Sequence, residues 1–388
     1  MHIAILTGSF LPQVGGLEWK VHHLATHYVR RGHSVVVLTT RPGLRPGPVA
    51  MPVTPNYRVI RAGWPLPGMG STGLLRWFWK QAFFRENRRA GFDVVHSHHL
   101  GPPTAYALHF AERLDLPVVA TTCGEDVMVL PEINRGLRLS PEFDRMIRDN
   151  LRRVRVVGAI SRAIHQTLVE IGGAERIEDI PNGVDWDAFQ IPHSDVLRAR
   201  FGWGPETTVI LSVGRNNVVK GYTQGLEAFA RMAREHPAAR YALVGRGVPE
   251  LREHVDRLGI GERVGLIDQM PMAEIPGVFR SADIFFNPSL MEGFPQVSAQ
   301  ALASGLPCVI TDCPGGVDAA DHGGAVVTRR GDIQSMADAL SRLLSDAPAR
   351  QALGEQAHVA GRHYDWRTIG DRYLTIFDGL LATGGRSA

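Results

Sequence analysis

The chain has 388 residues, which at roughly 150 residues per domain implies two or three domains. Charged residues make up 21% and the nine apolar types 44%, the balance of an ordinary soluble globular protein. Lys plus Arg (42) against Asp plus Glu (39) leaves a formal charge of +3, too small a bias to argue for nucleic acid as a partner.

The N-terminal run Met1-His2-Ile3-Ala4-Ile5-Leu6 reads as a short buried strand rather than a signal peptide. Ser9 to Gly16 is a loop that ends in paired glycines. Leu17, Val21, Leu24, Ala25 and Tyr28 then recur at spacings of three and four, one buried face of a helix. Gly32 stops it, and Ser34–Leu38 is a second strand. Strand, helix, strand in forty residues is a βαβ unit and predicts a parallel α/β sheet. Further strands are expected at 93–96, 117–121, 155–160 and 177–180, the last ending in the turn Pro181-Asn182-Gly183.

The same grammar repeats in the second half. Strands are expected at 209–213, 241–244, 264–267, 284–287, 308–311 and 325–327, with helices from about Gln334 onward. Two doubly wound domains joined near 186–205 fit this order. Ligands of such sheets bind beyond the carboxyl ends of the strands, so a cleft between two of them is the expected site. The three cysteines, Cys123, Cys308 and Cys313, are too few for a disulfide framework and point to a reducing, cytoplasmic compartment. No apolar run approaches the roughly 20 residues of a membrane span.

The C-terminal half carries the sharpest chemical signal. Gly214-Arg215, Lys220-Gly221, Pro288-Ser289 through Pro295, and Ala303 to Pro307 are each read as following a strand, on the rim that faces the cleft. Arg215 and Lys220 supply two fixed positive charges that suit a diphosphate. Gly293-Phe294-Pro295 precedes a helix that begins near Gln296 and Val297, whose first amides suit anionic oxygens. Glu292, just before it, suits sugar hydroxyls.

At this point the chain resembles the retaining nucleotide-sugar glycosyltransferases of family four, with the GT-B fold. The resemblance also rests on Gly15-Gly16, Arg31 to Val35, Asp93 to His98, Ile180 to Asp185, and Val244-Gly245-Arg246-Gly247. It implies an α/β architecture of two Rossmann-like domains facing a cleft: 1–188 on the acceptor side, 189–364 on the donor side, and a helical segment 365–388 returning to the N-terminal domain. It implies transfer from a UDP- or GDP-sugar to an acceptor hydroxyl with retention, in cell-envelope glycan, glycolipid or other glycoconjugate synthesis. No metal and no cofactor beyond the donor are expected, because Arg215 and Lys220 would neutralise the leaving diphosphate. Glu292, Arg215 and Lys220 would be catalytic, with Asp126 and His98 beside them. Gly15, Gly16, Gly214, Gly245, Ile267, Asp268, Gly293, Phe294, Pro295, Gln296, Val297 and Gln300 would complete the donor site.

Two positions depart from the family pattern. Gln300 stands where a second glutamate is usual, and an amide makes a weaker bond to a ribose than a carboxylate does. Cys123-Gly124-Glu125-Asp126 stands where a histidine usually opens the motif. These departures leave two other readings open: a nucleotide-sugar 2-epimerase of the same fold, or a sugar-nucleotide-binding protein that has lost transfer.

Two local features carry a bland and a sharp reading each. His96 and His98 are two apart on a strand and share a face; they are core or acceptor contacts, or part of a metal site. Residues 74–89 crowd Trp77, Phe78, Trp79, Phe83 and Phe84 among cations. They form a domain helix with its aromatics inside, or a peripheral contact with a cytoplasmic membrane face.

Overall fold

All strand pairs in both sheets are parallel. The computed structural model describes residues 1–13, 15–42, 51–63 and 73–383. The chain divides into two units, Met1–Asn182 with Trp366–Ala388, and Gly183–Asp365.

The first unit holds β1 (His2–Thr7), β2 (Ser34–Thr39), β3 (Arg58–Arg61), β4 (Val94–His98), β5 (Val118–Thr121), β6 (Val156–Ala159) and β7 (Ile177–Asp179), in the order β3-β2-β1-β4-β5-β6-β7. β1 is buried from Ile3 to Thr7 and reads as an apolar run, whereas β4 is buried throughout although it carries His96, Ser97 and His98. The helix Gly16–Arg30 buries Val21, Leu24, Ala25 and Tyr28. The helix Gly73–Ala90 turns Trp79, Ala82 and Phe83 inward and leaves Leu74 and Trp77 exposed. Its buried Glu86 is held by Arg58 at 3.2 Å and Arg89 at 3.3 Å.

β3 is absent from the sequence reading. It is a short edge strand with arginine at both ends and only partial burial, so it lacks the apolar run that marks its neighbours.

The helix Trp366–Thr383 packs on the first unit. Trp366 stacks on His23, Asp371 accepts from His27 at 2.8 Å, and Tyr373 lies over His96 with ring centroids 4.7 Å apart. Of the C-terminal segment 365–388, residues 384–388 lie outside the described residues.

The second unit holds β8 (Thr208–Val213), β9 (Ala239–Val244), β10 (Val264–Ile267), β11 (Ile284–Asn287), β12 (Cys308–Thr311) and β13 (Ala325–Thr328), in the order β10-β9-β8-β11-β12-β13. The border between units falls after Asn182, not at 188. The reason is local. The Val184 amide donates to the Tyr364 carbonyl at 2.7 Å, Trp186 packs on His358, and the Gln190 amide donates to the Ala303 carbonyl at 2.9 Å. Asp365 pairs with Val184 and belongs to the second unit for the same reason.

Candidate functional site

In the second unit the polar residues gather where β8, β9, β10 and β11 end. Gly214 continues β8 with φ +151° and Gly245 continues β9 with φ +152°. The Gly245 amide donates to the carbonyl of Ile267, the last residue of β10, at 2.9 Å. A Cβ on residue 245 would stand 2.0 Å from the Gly214 carbonyl oxygen. Glycine is therefore what lets these two strand ends run against each other. Asp268 is exposed, and its Oδ1 accepts the Gly247 amide at 3.0 Å, bracing the turn after β9.

Lys220 comes from the loop after β8, and Gly221 follows it at φ +61°. A Cβ on residue 221 would lie 2.1 Å from the Pro288 carbonyl oxygen. The Leu290 amide donates to the Val219 carbonyl at 2.7 Å. The loops after β8 and β11 are thus joined by backbone, and their side chains meet on that frame. Lys220 Nζ donates to Glu292 Oε1 at 2.7 Å. The Ser289 hydroxyl lies 2.7 Å from both Glu292 Oε1 and Asn287 Oδ1 and shares its single proton between them. Behind them Thr311 donates to the Ser289 carbonyl.

The backbone of Glu292 is fixed from a third side. Its amide donates to the Pro314 carbonyl at 3.0 Å, and Gly315, at φ +72°, lies so close that a Cβ there would be 2.0 Å from the Glu292 oxygen. Gly293 leads from it to Phe294, which is buried against Tyr364 with ring centroids 5.2 Å apart. Pro295 precedes the helix Gln296–Ala303. Gln296, Val297 and Gln300 are partly buried on its first two turns. Arg215 is exposed and makes no ion pair among the described residues. The structure therefore brings Lys220 and Glu292 into contact and leaves Arg215 at the surface just past β8.

Two participants carry no individual role in the sequence reading. One is Ser289. The other is Tyr222, whose buried hydroxyl has no hydrogen-bond partner among the described residues and lies 2.8 Å from where a Cβ of residue 214 would stand. Burial, a neighbouring Tyr241 and the charge of Glu292 all hold this phenol protonated. A buried phenol left without an acceptor is a donor available to a ligand.

In the first unit a second polar cluster lies past β1, β4 and β5. Gly15 is extended and precedes the helix Gly16–Arg30, and Glu18 folds back on the loop to accept the Ser9 hydroxyl. Asp126 is fully buried. Its Oδ1 accepts the amides of Cys123 and Gly124 and its Oδ2 that of Leu100, each at 2.9 Å. Both carboxylate oxygens are thereby committed to holding the loop after β5.

His98 is fully buried with neither ring nitrogen partnered among the described residues, and its ring centroid is 4.3 Å from that of His96. His96 bonds Thr121 at 2.8 Å and approaches the Tyr28 hydroxyl at 3.3 Å. Burial pushes His96 down to about 3 and His98 well below its ordinary range, so both are neutral. Among the described residues no three His, Cys, Asp or Glu side chains gather as a metal site.

The model of Glycosyltransferase Family 4 matches residues 14–188, and that of Glycosyl transferases group 1 matches residues 194–359. The chain is a family 4-type glycosyltransferase.

Relatives of this glycosyltransferase include the D-inositol 3-phosphate glycosyltransferase of Corynebacterium jeikeium (strain K411), 29% identical over 100% of this chain and 97% of that protein. A glycogen synthase of Mycobacterium tuberculosis (strain CDC 1551 / Oshkosh) is 27% identical over 97% and 94%. Among solved structures, sucrose-phosphate synthase from Thermosynechococcus elongatus superposes with a TM-score of 0.82 at 18% identity, covering 98% of this chain and 99% of that one. Anabaena Alr3699/HepE in complex with UDP and glucose does so with 0.79 at 21% identity, covering 98% and 100%. These neighbours share the GT-B fold of this glycosyltransferase.

Proposed function

We propose that this glycosyltransferase moves a sugar from a UDP- or GDP-sugar to an acceptor hydroxyl with retention at the anomeric carbon, as a step of cell-envelope glycan, glycolipid or other glycoconjugate synthesis. The observation that carries the reading is the contact of Lys220 with Glu292, braced by Ser289, on loops that follow parallel strands. That is where a parallel α/β sheet receives a nucleotide. The HepE structures with UDP and with UDP-glucose support a uridine donor.

In this reading Arg215 and Lys220 offset the charge that develops on the departing diphosphate, without a metal ion. Glu292 accepts from donor-sugar hydroxyls, and the amides at Gln296 and Val297 face donor oxygens. The bond from the anomeric carbon to the phosphate oxygen breaks as the bond to the acceptor oxygen forms on the same face. The acceptor proton passes to the leaving phosphate oxygen. The exposed Leu74 and Trp77, with Arg85, Arg88 and Arg89 on the same helix, suit peripheral contact with an anionic membrane at its cytoplasmic face.

Thermal unfolding with UDP, GDP and ADP tests the donor class, since a ligand that binds only the folded chain raises the midpoint. Incubation with UDP-glucose and candidate acceptors, followed by NMR of the product anomer, tests transfer and retention. A sugar that changes configuration without an acceptor would identify an epimerase instead. Binding without release of nucleotide would identify a protein that has lost transfer.

A further inference from the structure

Lys20 lies in the second turn of the helix Gly16–Arg30 and is 3% exposed. Its Nζ donates to the Thr122 carbonyl at 3.3 Å and has no other polar partner among the described residues. An ammonium group has three donors, so two are unused. A buried charge in that condition is costly unless an anion or further acceptors meet it.

No neighbour among the described residues supplies one. The carboxylate of Asp126, whose charge reaches Lys20, is saturated by three backbone amides. Glu18 on the same helix is engaged with Ser9. From β4, the imidazoles of His96 and His98 feel the Lys20 charge and are neutral. From the loop after β5, burial pushes the Cys123 thiol up to about 12, so it too is neutral. His98 adds two buried nitrogens that have no partner among the described residues. Cys123 is partly exposed and gives the cluster a surface.

We propose that Lys20, together with His98, recognises an anionic substituent, a carboxylate or a phosphate, on the sugar substrate of this glycosyltransferase. The inference rests on the transferase reading and narrows its substrate to a sugar that carries a negative group. Lys20 offers two N–H donors and a charge, and neutral His98 offers one donor and one acceptor. A plain hydroxyl would leave the ammonium uncompensated, whereas an anion satisfies both the charge and the geometry. Burial lowers Lys20 to about 8, so recognition is lost in alkaline solution.

The test is thermal unfolding of the full chain at constant ionic strength with D-glucuronate, inorganic phosphate, glucose 6-phosphate and neutral glucose. The wild type and Lys20→Met are compared near pH 7, and the wild type again near pH 9.5. The expected result is a rise in midpoint with one anionic class and not with glucose, lost in Lys20→Met and lost in the wild type at the higher pH. A response to glucuronate alone identifies a uronate; a response to phosphate and glucose 6-phosphate identifies a phosphoryl group. Anionic probes that act no differently from glucose, or a Lys20→Met protein that responds like the wild type, overturn the proposal. If Lys20→Met does not fold, the two pH values on the wild type decide alone. UDP run in parallel separates the two readings: no UDP response counts against the donor assignment, while the anion response still decides on Lys20.

Discussion

Lys220 Nζ and Glu292 Oε1 lie 2.7 Å apart, and the same carboxylate oxygen takes the Ser289 hydroxyl at 2.7 Å. One oxygen thus connects the loop after β8 to two points of the loop after β11. Glycines that allow close backbone approach hold these loops independently of the ion pair.

Removing the ammonium should therefore injure chemistry more than folding. Lys220→Met is expected to lower kcat by about 10²- to 10³-fold, the usual effect of deleting one charge-stabilising donor. Its cost in stability should be only about 1–2 kcal/mol, because Glu292 keeps Ser289. Steady-state kinetics beside urea unfolding checks both numbers. Unchanged turnover would remove Lys220 from the diphosphate.

Two glycines of similar φ should behave differently. Gly315 (φ +72°) has the Glu292 oxygen 2.0 Å from a would-be Cβ, whereas Gly259 (φ +68°) has nothing within 4 Å. Gly259→Ala should cost about 1 kcal/mol, the left-handed penalty alone. Gly315→Ala should cost about 3 kcal/mol or more and displace Glu292, because a backbone atom cannot step aside as a flexible side chain can. Urea unfolding measures the pair, and equal losses would argue against the close approach.

Lys20 makes stability depend on pH with a definite sign. Its folded value is about 8 against an ordinary 10.5. Between those values the unfolded chain binds the proton that the folded chain has released, so stability rises with pH across that window. Below about pH 8 the cost of the buried charge is present in full. The shift corresponds to a rise on the order of 3 kcal/mol, absent from Lys20→Met. Because thiols and phenols titrate in the same range, the quantity to measure is the difference between wild type and variant in urea titrations from pH 7 to 11. A flat difference would show that Lys20 is not desolvated.

Asp126 separates a structural from a reacting carboxylate. Asp126→Ala strips acceptors from three backbone amides and should cost about 3 kcal/mol or more. Unfolding by urea beside kcat reads the outcome. Full stability with abolished turnover would instead make Asp126 a reacting group.

The second unit was nearly transparent in sequence because β8 and β11 lie inside the sheet, so runs such as Val209–Val213 and Ile284–Asn287 stand out. β3 was hidden by its flanking arginines. Glu292 and Lys220 were legible through motif spacing, but their contact was not, since it depends on where Gly221 and Gly315 let the backbone pass. Ser289 and Tyr222 look like ordinary loop and helix residues until burial is known. Lys20 stands beside the apolar stripe of Val21 and Leu24, and nothing in the sequence marks it as buried. The loop after β5 offers it the Thr122 carbonyl.

The helix Trp366–Thr383 belongs to the first unit although all of the second precedes it in the chain. During synthesis the ribosome therefore delivers β1 to β7 long before the Tyr373 and Phe377 rings that cover His96. The second unit can mature while the first still waits with an uncovered apolar flank. A premature stop between codons 366 and 373 should thus leave the second unit sound and the first prone to aggregate.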